Sequence, residues 1–201
     1  MFLLLAELAL RSITPPFYSF GYLEKICKRK LIRNPLDKDV LWFLGNLYIW
    51  YEKYSDARPY LESLMKILRD TRNVRLLLGK VYYNLDLFEE VIDVMSGREV
   101  LFDGDMENFY LGDSLLRKGR FAEAIRPLEL YVNHFKNNFV PFARLGCAYL
   151  FIHEYQQALN AFRKAEALSS GSQEVQDSIA HCIERLNEQN SLIPERDEGS
   201  S

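Results

Sequence analysis

The stretch Leu41-Trp-Phe-Leu-Gly-Asn-Leu-Tyr48 returns along the chain at a nearly constant spacing. Its central Leu-Gly pair lies at residues 44–45 and recurs at 78–79, 111–112 and 145–146, in steps of 34, 33 and 34 residues. A further step of 34 residues reaches Ile179-Ala180, again a large apolar residue followed by a small one. Self-similarity at this period indicates a repeat architecture, in which each unit buries its apolar face against its neighbours.

Each repeat contains two amphipathic stretches separated by a short polar turn. Residues 41–48 carry apolar or small residues at the i, i+3, i+4, i+7 spacing of one helix face. In the second stretch an aromatic residue, a small or β-branched residue and a large apolar residue follow each Gly, as at Tyr54, Ala57 and Leu61. The pattern predicts a pair of antiparallel helices in every repeat.

The recurring glycine predicts close contact between the helices of a pair. Gly inside a helix costs about 1 kcal/mol relative to Ala. Its recurrence at residues 45, 79, 112 and 146 therefore implies a compensating contact that a larger side chain would prevent. In the second repeat, Ser96-Gly97 should also shorten the second helix.

These residues resemble the tetratricopeptide repeat family, whose signature of about 34 residues carries Leu-Gly, Tyr, a turn, an aromatic residue and Ala. The resemblance covers about residues 38–186. It implies an all-α, right-handed superhelical solenoid of antiparallel helix pairs that binds other proteins. The second repeat departs from the family pattern at Arg75, where a large apolar residue is usual, and at Val91, which replaces Ala.

We expect one solenoid domain over residues 1–190. Four full repeats are predicted at 38–71, 72–104, 105–138 and 139–172, after a divergent helix pair at 1–36. A helix at 173–189 has no second half and should cap the last apolar face. Residues 191–201 are typical of a disordered tail.

Composition and motifs argue against several classes of function. The formal net charge is −3, whereas nucleic-acid binding needs a concentrated basic surface. Cys27, Cys147 and Cys182 lie far apart and have no metal-ligand spacing, which fits a reducing compartment such as the cytoplasm and predicts no metal site. The chain has no Gly-rich phosphate loop, GxSxG or HExxH motif, so we expect neither catalytic residues nor a cofactor.

The first helices of such a solenoid line its concave face, and here that face is rich in aromatic residues. Aromatic side chains are enriched at binding hot spots. The predicted partner-binding groove consists of Trp42, Asn46, Ile49, Trp50, Leu76, Lys80, Tyr83, Phe109, Asp113, Leu116, Cys147, Leu150 and Phe151. We expect it to bind a protein or peptide through an apolar or amphipathic segment, as a scaffold or a chaperone. The alternative is that its aromatic residues pack between repeats.

Some members of the family grip an acidic C-terminal tail with Lys, Arg and Asn on this face. Asn46 matches one such position, but Trp42 stands in place of the usual Lys and Leu77 in place of the usual Asn. A clamp for a terminal carboxylate is therefore not expected. The apolar groove instead resembles members that shield hydrophobic segments, such as the type III secretion chaperones.

The N-terminal segment supports an alternative function. Met1–Leu10 is apolar but too short to span a membrane, which takes about 20 residues. It is a first helix packed on the fold, a contact with a membrane or a segment that fills a groove. The basic run Lys28-Arg29-Lys30 with Arg33 keeps the membrane interpretation open. The alternative to a protein-binding module is therefore a membrane-peripheral assembly protein that docks or forms homo-oligomers through this segment.

Overall fold

The computed structural model describes residues 19–69, 71–96, 106–169 and 172–191. Within these residues every regular element is an α-helix. By its internal contacts the chain divides into two units, residues 1–95 and 96–201. The expectation of a single domain over residues 1–190 stays a prediction.

The first unit contains a leading helix and two helix pairs. Helix α1 (Phe20–Arg33) comes first, and the pairs are α2 (Lys38–Trp50) with α3 (Tyr54–Leu68) and α4 (Arg72–Asn84) with α5 (Phe88–Met95). The Asp37 side chain accepts a hydrogen bond from the Val40 amide and so caps α2. Each pair lies within one predicted repeat. Helix α5 has only 8 residues and ends just before Ser96-Gly97, the position at which the sequence predicts shortening.

The second unit contains two helix pairs and a final helix. The pairs are α6 (Met106–Arg117) with α7 (Phe121–His134) and α8 (Phe139–Phe151) with α9 (Tyr155–Leu168). Helix α10 (Gln173–Ser191) packs on α9 and ends two residues beyond the capping helix predicted at 173–189. The predicted helix at residues 1–12 and the disordered tail from residue 192 onward lie outside the described residues.

One residue in the turn of every helix pair has a left-handed backbone conformation. Its φ is 55° at Glu52, 56° at Asp86, 75° at Gly119 and 65° at His153. Each of these residues comes seven positions after the repeating Gly. Only the third repeat uses Gly, the residue that adopts this conformation without a steric penalty. The turn geometry is therefore set by the helices that it joins.

Each repeating glycine lies directly against a large side chain of the next helix. A Cβ atom on Gly45 would be 2.5 Å from Leu61, one on Gly112 2.6 Å from Leu128, and one on Gly146 2.8 Å from the Phe162 ring. Gly79 has the same relation to the Met95 methyl group, which a Cβ would overlap. The partner is always sixteen residues after the Gly. The close contact predicted from the sequence is confirmed in all four repeats.

Successive repeats are joined by hydrogen bonds that the sequence analysis did not predict. The hydroxyl of the Tyr three residues after the repeating Gly donates a hydrogen bond to a Glu on the preceding second helix. The bond runs from Tyr82 to Glu62 at 3.0 Å and from Tyr149 to Glu129 at 2.6 Å. Tyr48 makes the same bond to Glu24 of α1 at 2.6 Å. Glu62 and Glu129 directly follow Leu61 and Leu128, which contact Gly, and this adjacency is the sequence signal for these two bonds.

These bonds shift the acidities of their members. Burial and the Glu62 carboxylate together raise the pKa of Tyr82 to about 12. Burial opposes ionisation of Glu62, but hydrogen bonds from Arg58 and Tyr82 outweigh it, so the pKa of Glu62 is lowered. Both shifts favour a neutral phenol donating to an ionised carboxylate, which is a strong charge-assisted hydrogen bond.

We predict that Gly146→Ala destabilises the protein because the new methyl group would strike the rigid Phe162 ring. Overpacking of a core typically costs about 1–3 kcal/mol, against which Ala regains about 1 kcal/mol of helix propensity. Gly21→Ala is the matched control, since Gly21 lies in α1 with open space where its Cβ would stand. Urea unfolding should show a lower midpoint for the first variant and an equal or higher one for the second. A stabilised Gly146→Ala would contradict the packing role.

A second prediction concerns alkaline pH. A Tyr in the unfolded chain ionises near pH 10, whereas the raised pKa keeps folded Tyr82 neutral to about pH 12. The stabilisation is therefore complete below about pH 10 and is lost as the pH rises through the folded value, by up to about 1.4 kcal/mol per pH unit. Unfolding free energies measured from pH 8 to 12 should fall less steeply in Tyr82→Phe than in the wild type. Tyr51→Phe, at an exposed tyrosine, is the control.

Candidate functional site

In the first unit, the predicted groove residues of α2 differ in exposure. Trp50 is 57% exposed, and Trp42 and Asn46 are half-buried. The Asn46 amide donates to the Trp42 carbonyl oxygen of its own helix at 2.9 Å. Ile49 is only 8% exposed, which corrects its expected position in an open groove. It lies one helical turn after Gly45, on the face that packs into the core.

The predicted residues of α4 form a partly covered surface. Leu76, Lys80 and Tyr83 are all half-buried. The Tyr83 ring lies edge-on to Phe88 of α5, with ring centroids 6.0 Å apart. The Tyr83 ring therefore packs partly within its own repeat. Trp50 is the most exposed of the aromatic residues predicted for the groove in this unit.

In the second unit, two predicted residues of α6 are occupied by contacts within the unit. Phe109 is half-buried and packs on Tyr131 of α7 at 5.3 Å. The Asp113 side chain is only 1% exposed, so its expected place on an open surface is corrected as well. Its two carboxylate oxygens are 2.8 Å from the Nε atoms of Arg117 and Arg144. Leu116 remains half-buried.

Helix α8 contributes the most exposed predicted residue of this unit. Phe151 is 58% exposed, although one face of its ring stacks on Phe121 with centroids 4.2 Å apart and planes at 7°. Cys147 and Leu150 are half-buried, and burial raises the pKa of the Cys147 thiol. The alternative that the aromatic residues pack within the fold therefore applies to Phe109 and partly to Phe151. That these side chains bind a partner stays a prediction.

Helix α6 also carries a buried polar cluster that the sequence analysis did not anticipate. Glu107, Asn108, Asp113 and Ser114 are each less than 9% exposed. Asp113 is neutralised by two arginines, and no hydrogen-bond partner for the Ser114 hydroxyl lies among the described residues. A serine nucleophile needs an adjacent base, and no base among the described residues forms a hydrogen bond with the Ser114 hydroxyl. Within the same residues, no three His, Cys, Asp or Glu side chains are placed to hold a metal ion.

A cleft on the second unit involves helices that the sequence analysis left out. It has a volume of about 320 Å³ and is bordered by α7, α8 and α9. Phe142 and Tyr149 contribute apolar surface, and Asn133, Asn160 and Lys164 contribute polar groups. The sequence pattern predicts only packing for the second helices, because the outward residues of α7 and α9 look like an ordinary solvated face. The cleft becomes visible only when the three helices are assembled.

Comparison with known proteins places the chain among solved structures of stacked helix pairs. No family model matches the chain, and no curated protein matches it. A crystal structure of MamA protein is 18% identical, with a TM-score of 0.65 over 77% of this chain and 85% of that chain. MamA from Desulfovibrio magneticus RS-1 is 18% identical, with a TM-score of 0.58 over 80% of this chain and 98% of that chain.

A further similar structure is YrrB, described as a TPR protein with an unusual peptide-binding site. It is 18% identical, with a TM-score of 0.64 over 89% of this chain and 88% of that chain. At such identities the likeness establishes a shared fold. The stacked helix pairs predicted from the repeating Leu-Gly are therefore confirmed at that level.

We predict that Asp113 stabilises the second unit only while its arginines remain. The double variant Arg117→Gln/Arg144→Gln would leave a buried carboxylate without these cations and should lose about 3 kcal/mol of unfolding free energy. Adding Asp113→Asn removes the buried charge and should recover part of that loss. Urea unfolding of the double and triple variants tests this relation. A triple variant no more stable than the double would show that burial of the charge is not what the arginines offset.

Proposed function

We propose that this chain, which has the tetratricopeptide repeat fold, is a non-catalytic protein-binding module. Its partner presents an apolar or amphipathic segment, which lies against the exposed aromatic residues of the first helices. The observation that carries the proposal is the pair Trp50 and Phe151, which are 57% and 58% exposed. They occupy the same repeat position, the last residue of a first helix, in α2 and α8.

Large aromatic side chains exposed at an equivalent position in two repeats offer a partner a large apolar contact area. Trp and Tyr are enriched among the residues that dominate binding energy, and apolar neighbours help to exclude water around them. In the first unit, Trp50 is accompanied by half-buried Trp42, Leu76 and Tyr83. In the second unit, Phe151 is accompanied by half-buried Leu116 and Leu150.

The chemistry of these surfaces favours an apolar segment over an acidic one. In the first unit, Lys80 is the one charged residue of the predicted set, and in the second unit Asp113 is buried. An amphipathic helix meets such a surface through residues at i, i+3, i+4 and i+7. YrrB, a similar structure at the level of the fold, is described as having a peptide-binding site. A scaffold and a chaperone would both use a surface of this kind, in the cytoplasm expected from the free cysteines.

The experiment is selection of peptides from a random displayed library on the purified chain, followed by affinity measurements on variants. We expect the selected peptides to carry apolar residues at helical spacing and to bind Trp50→Ser at least about 30-fold more weakly, the loss typical of a hot-spot residue. Their binding should also shift the fluorescence of Trp50. Leu168→Ser, at a residue 41% exposed outside the predicted groove, is the matched control and should bind normally.

Phe151→Ser is tested in parallel to separate the two units. Circular dichroism must show unchanged helicity in each variant. Phe109 is a poor probe of binding, because its contact with Tyr131 makes a substitution disturb the unit itself. Peptides that bind Trp50→Ser and Phe151→Ser as tightly as the wild type would overturn the proposal.

A further inference from the structure

Helix α1 exposes a face that combines cations with large apolar side chains. Ile32 is 80% exposed and Leu36, just past the end of the helix, is 66% exposed. Lys25, Arg29 and Arg33 are exposed as well. In α1 the spacings from residue 25 to 29, 32 and 33 are four, seven and eight positions, which places these residues on one side of the helix. We refer to Lys25, Arg29, Ile32, Arg33 and Leu36 as the α1 outer face.

The opposite side of α1 holds the helix on the fold. Cys27 is fully buried there, and Glu24 accepts the hydroxyl hydrogen bond of Tyr48 in α2 at 2.6 Å. The α1 outer face is therefore presented by a helix whose other side is anchored. Neither Ile32 nor Leu36 is needed for that anchoring, since both remain largely open to solvent.

Within α1, five cations stand against a single carboxylate. Glu24 is the one acidic residue of α1, and its carboxylate forms an ion pair with Lys28 at 2.6 Å. Lys25, Arg29 and Arg33 form no ion pair with any described residue. Cations near the end of a helix complement its dipole, but this effect gives no reason for exposing Ile32 among them and Leu36 just after the helix.

We propose that the α1 outer face docks onto the surface of an anionic lipid bilayer. The three cations lie at the level of the lipid phosphates, and Ile32 and Leu36 enter the boundary between headgroups and acyl chains. Surfaces that bind in this way combine basic residues with exposed apolar residues on one helix face. A nucleic acid or an acidic protein would satisfy the cations but would leave Ile32 and Leu36 in water.

The α1 outer face shares no residue with the predicted groove, so the two surfaces can be tested by separate variants. Among the helices of the described residues, none has both the length and the apolar character that a membrane-spanning helix needs. The apolar stretch Met1–Leu10 precedes α1 in the sequence, and its contribution to vesicle binding is tested with its own variant.

The test is flotation of the full chain with two kinds of vesicle, one of phosphatidylcholine alone and one that also contains about 30% phosphatidylserine. Phosphatidylserine is anionic and attracts basic segments of proteins. We expect binding only to the anionic vesicles and a loss of binding as NaCl is raised. Lys25→Gln/Arg29→Gln/Arg33→Gln should bind about 100-fold more weakly, about fivefold for each cation. The matched control Lys136→Gln/Arg163→Gln/Lys164→Gln removes the same charge from exposed positions of the second unit and should bind normally.

Two further variants test the apolar part of the α1 outer face. Ile32→Ser/Leu36→Ser keeps every charge and should still weaken vesicle binding by at least about tenfold. Leu4→Ser/Leu8→Ser disrupts the N-terminal apolar stretch and should leave measurable anionic binding. Helicity and thermal unfolding are measured for each variant, and in the variants of the α1 outer face both readouts should match the wild type because its five residues are exposed.

Several results would overturn the proposal. These are equal losses in the two charge variants, vesicle binding that survives Ile32→Ser/Leu36→Ser, or binding abolished by Leu4→Ser/Leu8→Ser alone. Absence of binding to anionic vesicles would also overturn it. So would salt-dependent binding of polyglutamate or duplex DNA that competes vesicles away while Ile32→Ser/Leu36→Ser has no effect.

Discussion

The contact between a glycine of the first helix and a large side chain of the second holds each repeat together. In all four repeats the two residues are sixteen positions apart, and the space for a Cβ is already filled by the partner side chain. The partners differ, with Leu61, Met95, Leu128 and Phe162 filling the same space. Each repeat therefore keeps its two helices in contact at the same pair of positions, while the shape of the filling side chain varies.

The hydroxyl bonds between repeats are a second layer that builds on the first. Glu62 and Glu129 directly follow the large residue that contacts Gly, so their positions are set by the helix packing of their own repeats. Tyr82 and Tyr149 reach these two acceptors, and Tyr48 reaches Glu24 of α1. At the corresponding positions 96 and 115 the sequence has Ser and Leu in place of Glu and Tyr. Among the described residues the bond therefore occurs where both a Tyr and a Glu stand at these repeat positions.

The exposed aromatic residues differ in the side chains of the neighbouring helix that they contact. Trp50 and Phe151 occupy equivalent positions, yet Phe151 stacks on Phe121 while Trp50 has no stacked ring among the described residues. Phe109 was expected in the open groove from its position in the repeat, but Tyr131 covers part of it. Ile49 was expected there too and is buried, because it lies a turn beyond Gly45 on the packing side. Position in the repeat predicts the side of the helix, and the neighbouring side chains decide the remaining exposure.

The sequence alone determined the helix pairs, their ranges and the close glycine contacts, because these depend on residues at fixed spacing within one repeat. Only the tertiary structure decided which charged side chains of different helices pair and which surfaces several helices form together. Asp113 reads as a groove residue in the sequence, but Arg117 and Arg144 meet its carboxylate in the buried interior of the second unit. The cleft between α7 and α9 and the α1 outer face likewise depend on which sides of the helices pack. A linear pattern encodes the period of a helix face, whereas solvent exposure depends on everything that packs against that face.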